Sequence, residues 1–119
     1  MTKITFYKTE DGIYYGFRES GHAGYDDAGK DIVCSAISAM TMLIINTVEV
    51  ALGSAVDYTI DEKTSDIEVV CKGALPKFEA DKKTNYAIAS LMLGYYHQLH
   101  DMLEDYYEYL DVDERVRQI

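Results

Sequence analysis

The 119 residues are enough for one compact domain, and 48% apolar with 27% charged residues is the composition of a chain that folds rather than one that stays disordered. The formal net charge is −10 and no Lys/Arg run interrupts it, which argues against direct nucleic-acid binding and favours a basic protein partner. Met1–Phe6 carries neither an apolar stretch nor a small-residue cleavage site, so a cytoplasmic chain is expected, with Cys34 and Cys71 as two separate thiols.

Residues 4–9 and 13–18 alternate, with Ile4 and Phe6 on one face and then Ile13, Tyr15 and Phe17. Glu10-Asp11-Gly12 between them predicts a hairpin turn. Residues 21–31 hold three glycines and four charges, which predicts a loop. From Ile32 to about Leu52, Val33, Ile37, Met40, Ile44, Val48 and Ala51 recur at helical steps, and Gly53 stops the helix. Residues 32–48 are uncharged, yet Ser35, Ser38, Thr41, Asn46 and Thr47 interrupt them, so a core helix is expected rather than a membrane span.

Alternation returns at Val56, Tyr58 and Ile60, and again at Ile67, Val69 and Cys71, a second hairpin about Glu62–Ser65. A last helix is expected over residues 82–110, with its seam at Ile88, Met92, Tyr95, Leu99, Met102, Tyr106 and Leu110. The order ββαββα predicts an α+β domain over residues 1–110, an antiparallel sheet with two helices on one face. Residues 111–119 are expected as an acidic tail. The seven acidic residues between 101 and 114 form either a solvated end or a surface for a basic protein.

Chemistry concentrates between His22 and Cys34. Asp31, where the glycine loop gives way to apolar periodicity, is the expected N-cap, which places Cys34 at the third helical position. Unpaired backbone N–H groups and the helix dipole there favour a thiolate and offer donors to an oxyanion. His22, twelve residues upstream, can supply the base of a Cys/His pair. Spacing alone leaves the plainer reading open, in which Cys34 is a small core residue and His22 is solvated. Cys71 reads as core. His97 and His100 stand at i and i+3, a spacing metal ligands use, but no further ligand obviously completes a set. The tyrosines at 14–15, 95–96 and 106–109 read as amphipathic packing.

Gly21-His22-Ala23-Gly24-Tyr25, Gly29-Lys30-Asp31-Ile32-Val33-Cys34 and Ser35-Ala36-Ile37-Ser38 resemble the corresponding motif of the ribosomal-processing cysteine protease (Prp) family, over about residues 2–110. The resemblance implies a bacterial, homodimeric endopeptidase that uses no metal or cofactor. It would remove the N-terminal extension of a basic large-subunit ribosomal protein by cutting after an aromatic pair. It carries Cys34 and His22 over as the catalytic dyad and Asp31 and Ser38 as supporting positions, with Gly21, Gly24, Tyr25 and Gly29 in the substrate loop. The competing readings are a non-catalytic acidic module that binds ribosomal proteins and a thiol hydrolase of small esters or amides.

Overall fold

The computed structural model describes residues 1–21 and 28–119, with backbone only for 28–30. The elements are β1 (Thr2–Lys8), β2 (Tyr14–Ser20), α1 (Ala28–Asn46, continued by a π-helical turn over Thr47–Ala51), β3 (Asp57–Ile60), β4 (Ile67–Val70), α2 (Lys82–Tyr106) and β5 (Leu110–Val116). The expected ββαββα order is present, followed by a fifth strand.

The sheet order is β3-β4-β2-β1-β5. Four strands pair antiparallel, but β5 runs parallel to β1 with Thr2 opposite Leu110 and Lys8 opposite Val116. Two expectations are corrected here. The sheet is mixed rather than antiparallel throughout, and most of the supposed tail at 111–119 is an integral edge strand. The cause lies in its alternation: Leu110 is fully buried and Val112 half-buried, while β1 lysines meet the acidic positions. Lys3 reaches Asp113 at 3.9 Å and Lys8 reaches Glu114 at 2.7 Å. Helix α2 accordingly ends at Tyr106 rather than at 110, and Tyr107–Tyr109 turn the chain into β5.

Both helices cover the sheet face that carries Thr2, Ile4, Phe6 and Phe17. Phe6 meets Tyr95 and Tyr96 of α2 with ring centroids 5.5 and 5.2 Å apart, and Phe17 meets Tyr95 at 5.2 Å. Edge-to-face geometry of this kind adds to the area the rings bury. Val33, Ile37, Ile44 and Val48 of α1 and Ile88, Met92 and Leu99 of α2 fill the rest of the core. Asp31–Ala51 is long and apolar enough to cross a membrane, yet this inner stripe is packed against the sheet. Its outer side exposes Ile32, Met42, Leu43 and Val50.

The first hairpin departs from simple alternation. The register shifts between Tyr7 and Lys8, so that Tyr7 faces Gly16 and Lys8 faces Tyr14. Tyr14 therefore joins Phe6 and Tyr96 on the helix side. Tyr15, expected beside Phe17, instead stacks on Tyr7 across the other face. A side chain at Gly16 would come within 2.6 Å of the Val69 carbonyl, so the bulge requires glycine. On that second face Arg117 lies 4.1 Å from the Tyr7 ring and 3.5 Å from Glu68, and Tyr15 donates to the Arg117 carbonyl. The chain beyond β5 is thus tied down by an aromatic and ionic cluster.

Candidate active site

Helix α1 begins a turn earlier than the glycine loop suggests. With Ala28 as its first residue, Asp31 lies in the first turn rather than at the N-cap, and Cys34 is in the second turn rather than at the third position. Residues 28–31 hold the four N–H groups that an α-helix leaves without an internal partner, whereas the Cys34 N–H belongs to the helical ladder. The expected oxyanion donors are therefore not at Cys34 itself. Asp31 remains well placed, since a carboxylate in a first turn complements the positive end of the dipole. Its side chain is exposed, as is that of Ser38, one turn beyond Cys34.

Cys34 is half-buried where α1 passes over the start of β1. Its Sγ lies 4.0 Å from the hydroxyl of Thr2, which is itself 1% exposed. The Thr2 backbone N–H donates to the Tyr109 carbonyl at 2.9 Å, so this corner also involves the segment entering β5. Gly21 borders it from β2. At φ +81° glycine is favoured, and a Cβ there would sit 2.1 Å from the Met1 carbonyl, so no side chain fits. Gly21, the last described residue before this segment, thus lies beside Thr2, and the described structure resumes in the helix that bears Cys34. His22, Gly24 and Tyr25 lie outside the described residues. Gly29 is within α1 rather than in a loop.

A polar patch that sequence reasoning missed lies beneath this corner. Glu19 pairs with Ile4 and so shares the face of Thr2, two residues away along β1. It is a buried, partnered carboxylate. Its charge adds to the burial that raises Tyr95 above the ordinary tyrosine range. The hydroxyls of Tyr95 and Thr41 are also buried here, near enough for Thr41 to oppose that rise, yet neither makes a hydrogen bond of good geometry among the described residues. The only available signal was Glu19 falling in phase with Phe17.

The second thiol has a different environment. Cys71 follows β4, is fully buried, and burial aided by the negative charges of Asp57 and Glu49 pushes it up to about 12. A thiol so protonated and enclosed is a poor nucleophile. His97 and His100 pack their rings against Tyr96 at 5.5 and 4.5 Å, and among the described residues no three metal-ligating side chains converge.

A model of the cysteine protease Prp family matches residues 1–111, which include both flanks of the glycine loop, all of α1 and the β1–β2 corner. The chain belongs to this family. Cysteine protease activity follows from that membership, and Cys34 is the one of its two thiols that is partly accessible.

Solved structures share the fold. SMU.848 from Streptococcus mutans is 23% identical, with a TM-score of 0.76 over 98% of this chain and 99% of that one. The ribosomal processing protease Prp from S. aureus, in complex with a substrate peptide, is 16% identical with a TM-score of 0.76 over 97% and 100%. The same S. aureus protease with a covalently linked product peptide is 17% identical, with a TM-score of 0.74 over the same shares. No curated protein matches the chain.

Proposed function

We propose that this chain is a ribosomal-protein-processing endopeptidase in which Cys34 is the nucleophile and His22 the general base and acid. The observation that carries the reading is the family match across residues 1–111, with Cys34 half-buried at the corner between α1 and β1 while Cys71 is sealed in the core. In the first half-reaction the Cys34 thiolate adds to the scissile carbonyl carbon. The tetrahedral intermediate then collapses with cleavage of the C–N bond, and the leaving amine takes a proton from His22. Water, giving a proton back to His22, next attacks the thioester and releases the carboxylate and the thiolate. Asp31 contributes its charge in the first turn of α1, and Ser38 stands on the same side of the helix as Cys34.

The substrate is a basic large-subunit ribosomal protein precursor, cut after an aromatic pair in its N-terminal extension. A net charge of −10 supports capture of such a partner by long-range attraction. The enzyme is a bacterial, cytoplasmic homodimer. The exposed apolar side of α1, with Ile32, Met42, Leu43 and Val50, supports association through that helix.

The test is mass-spectrometric analysis of a peptide spanning the precursor's extension, incubated with wild type, Cys34→Ala and His22→Ala. Cleavage at one bond by wild type alone, with both variants folded, is the expected result. Binding without cleavage, or cleavage by Cys34→Ala, would overturn the reading in favour of a non-catalytic acidic module.

A further inference from the structure

We infer that Thr2 is a positioning residue for the nucleophile, an inference that rests on Cys34 being the reactive thiol. Three observations support it. The Thr2 hydroxyl is 4.0 Å from Cys34 Sγ, the outer reach of a hydrogen bond to sulfur. The side chain is 1% exposed, so water does not compete for that hydroxyl. The residue is also held rigidly: its N–H is bound to the Tyr109 carbonyl, and β1 is paired with β2 on one side and β5 on the other. A donor fixed by its backbone costs little reorganisation when the sulfur changes charge.

A hydroxyl suits both states of the nucleophile. Towards the thiol it accepts the S–H proton, and towards the thiolate it turns and donates O–H, so that the anion keeps a partner after losing its own hydrogen. Among the described residues, the ionisable groups on the elements packed at this corner are Glu19 of β2, Tyr95 of α2, Tyr109 just before β5 and Asp31 on α1 itself; the proposed base, His22, lies outside the described residues. None of them is altered by a change at residue 2, so a Thr2 variant isolates the hydroxyl.

The experiment measures iodoacetamide alkylation of Cys34 against pH, with site assignment by peptide mass spectrometry, and needs no peptide substrate. Thr2→Val keeps the shape and β-branching and removes the hydroxyl. Thr2→Ser keeps the hydroxyl and removes a methyl group. Val should slow alkylation at pH 7 about fivefold and move the midpoint of the pH profile upward, as the loss of one hydrogen bond to a charged sulfur requires. Ser should stay within about twofold of wild type, the smaller change expected when the hydrogen bond is kept. A Val profile that overlays wild type would overturn the assignment, as would equal slowing by Val and Ser, which would mean packing alone. If Val lowers the urea midpoint, the Ser variant still decides, because a shifted Ser profile is incompatible with a hydroxyl role. A Thr2 effect on alkylation in a chain that cleaves no ribosomal peptide would refute the proposed substrate and leave this inference standing.

Discussion

Ending the chain at Tyr109 removes β5, and the structure predicts that this abolishes stable folding rather than trimming a tail. Seven residues leave the ladder with β1. Their backbone hydrogen bonds, about 1 kcal/mol net each, roughly offset the cost of about 1–2 kcal/mol for ordering each residue, so side-chain burial decides the balance. Leu110 alone contributes about 2–3 kcal/mol, and half-buried Val112 about 1 kcal/mol. Cutting there also frees Tyr7 and Tyr15 of the Arg117 contacts and makes β1, which carries Ile4 and Phe6, an edge strand. The about 3–4 kcal/mol from Leu110 and Val112, together with these lost contacts, approaches the lower end of the stability of a small domain, about 5–15 kcal/mol. Urea unfolding followed by circular dichroism should show no cooperative transition for the truncated chain. Leu110→Ala in the full chain should retain one with about 2–4 kcal/mol lost. A truncated chain whose urea midpoint equals that of wild type would refute the assignment of residues 110–116 to the sheet.

Other outcomes follow from the same structure. Phe6→Ala, which deletes a fully buried ring in contact with Phe17, Tyr14, Tyr95 and Tyr96, should cost about 3–5 kcal/mol in urea unfolding. Under native conditions at neutral pH, iodoacetamide should label Cys34 and leave Cys71 unlabelled, with both labelled in guanidinium, as counted by mass spectrometry. The hydrogen bond from Lys8, helped by that from Tyr14, holds the Glu114 carboxyl below its ordinary value of 4.5. A carboxyl lowered on folding adds stability above its unfolded value and loses it as pH falls through the folded one, so the contribution disappears progressively below pH 4.5. Glu114→Gln should therefore lower the stability read from urea unfolding at pH 7, by up to about 1 kcal/mol for so partly exposed a pair, and should flatten the acid limb of the stability profile.

The element order was legible because its signals are local. Asp11-Gly12 at the first turn, Gly53 at φ +62° after the first long helix and the Asp81 cap that accepts from the Lys83 N–H are each written in a few residues. What escaped depends on distant partners. Charge density at 111–119 suggested solvation, but Leu110, Val112, Glu114 and Val116 share the helix-side face of a strand whose partner lies more than 100 residues away. Alternation at Ile13, Tyr15 and Phe17 was real in sequence, and only the bulge opposite Tyr7 turns Tyr15 to the other face.

Within the candidate site, the motif singled out Cys34, but its place in the second turn of α1 was not legible. Glycine at 29 would ordinarily cost a helix about 1 kcal/mol, but burial of Val33 and Ile37 anchors α1 firmly enough to carry it back to Ala28. The Thr2 and Glu19 neighbours belong to strands that look unremarkable in isolation. Thr2 meets Cys34, with Glu19 two positions along on the paired strand, only because β1 starts and β2 ends under the first helix.

The parallel pairing of Thr2 with Leu110 also sets a schedule for the protein's own synthesis. A ribosome adding about 5–20 residues per second needs roughly 5–20 s to make the stretch between those two positions. Until that stretch has emerged, β1 has no outer neighbour and the Thr2 N–H has no Tyr109 carbonyl to meet. The corner where Thr2 meets Cys34 is therefore completed only after β5 has been made, however early the first hairpin and α1 emerge.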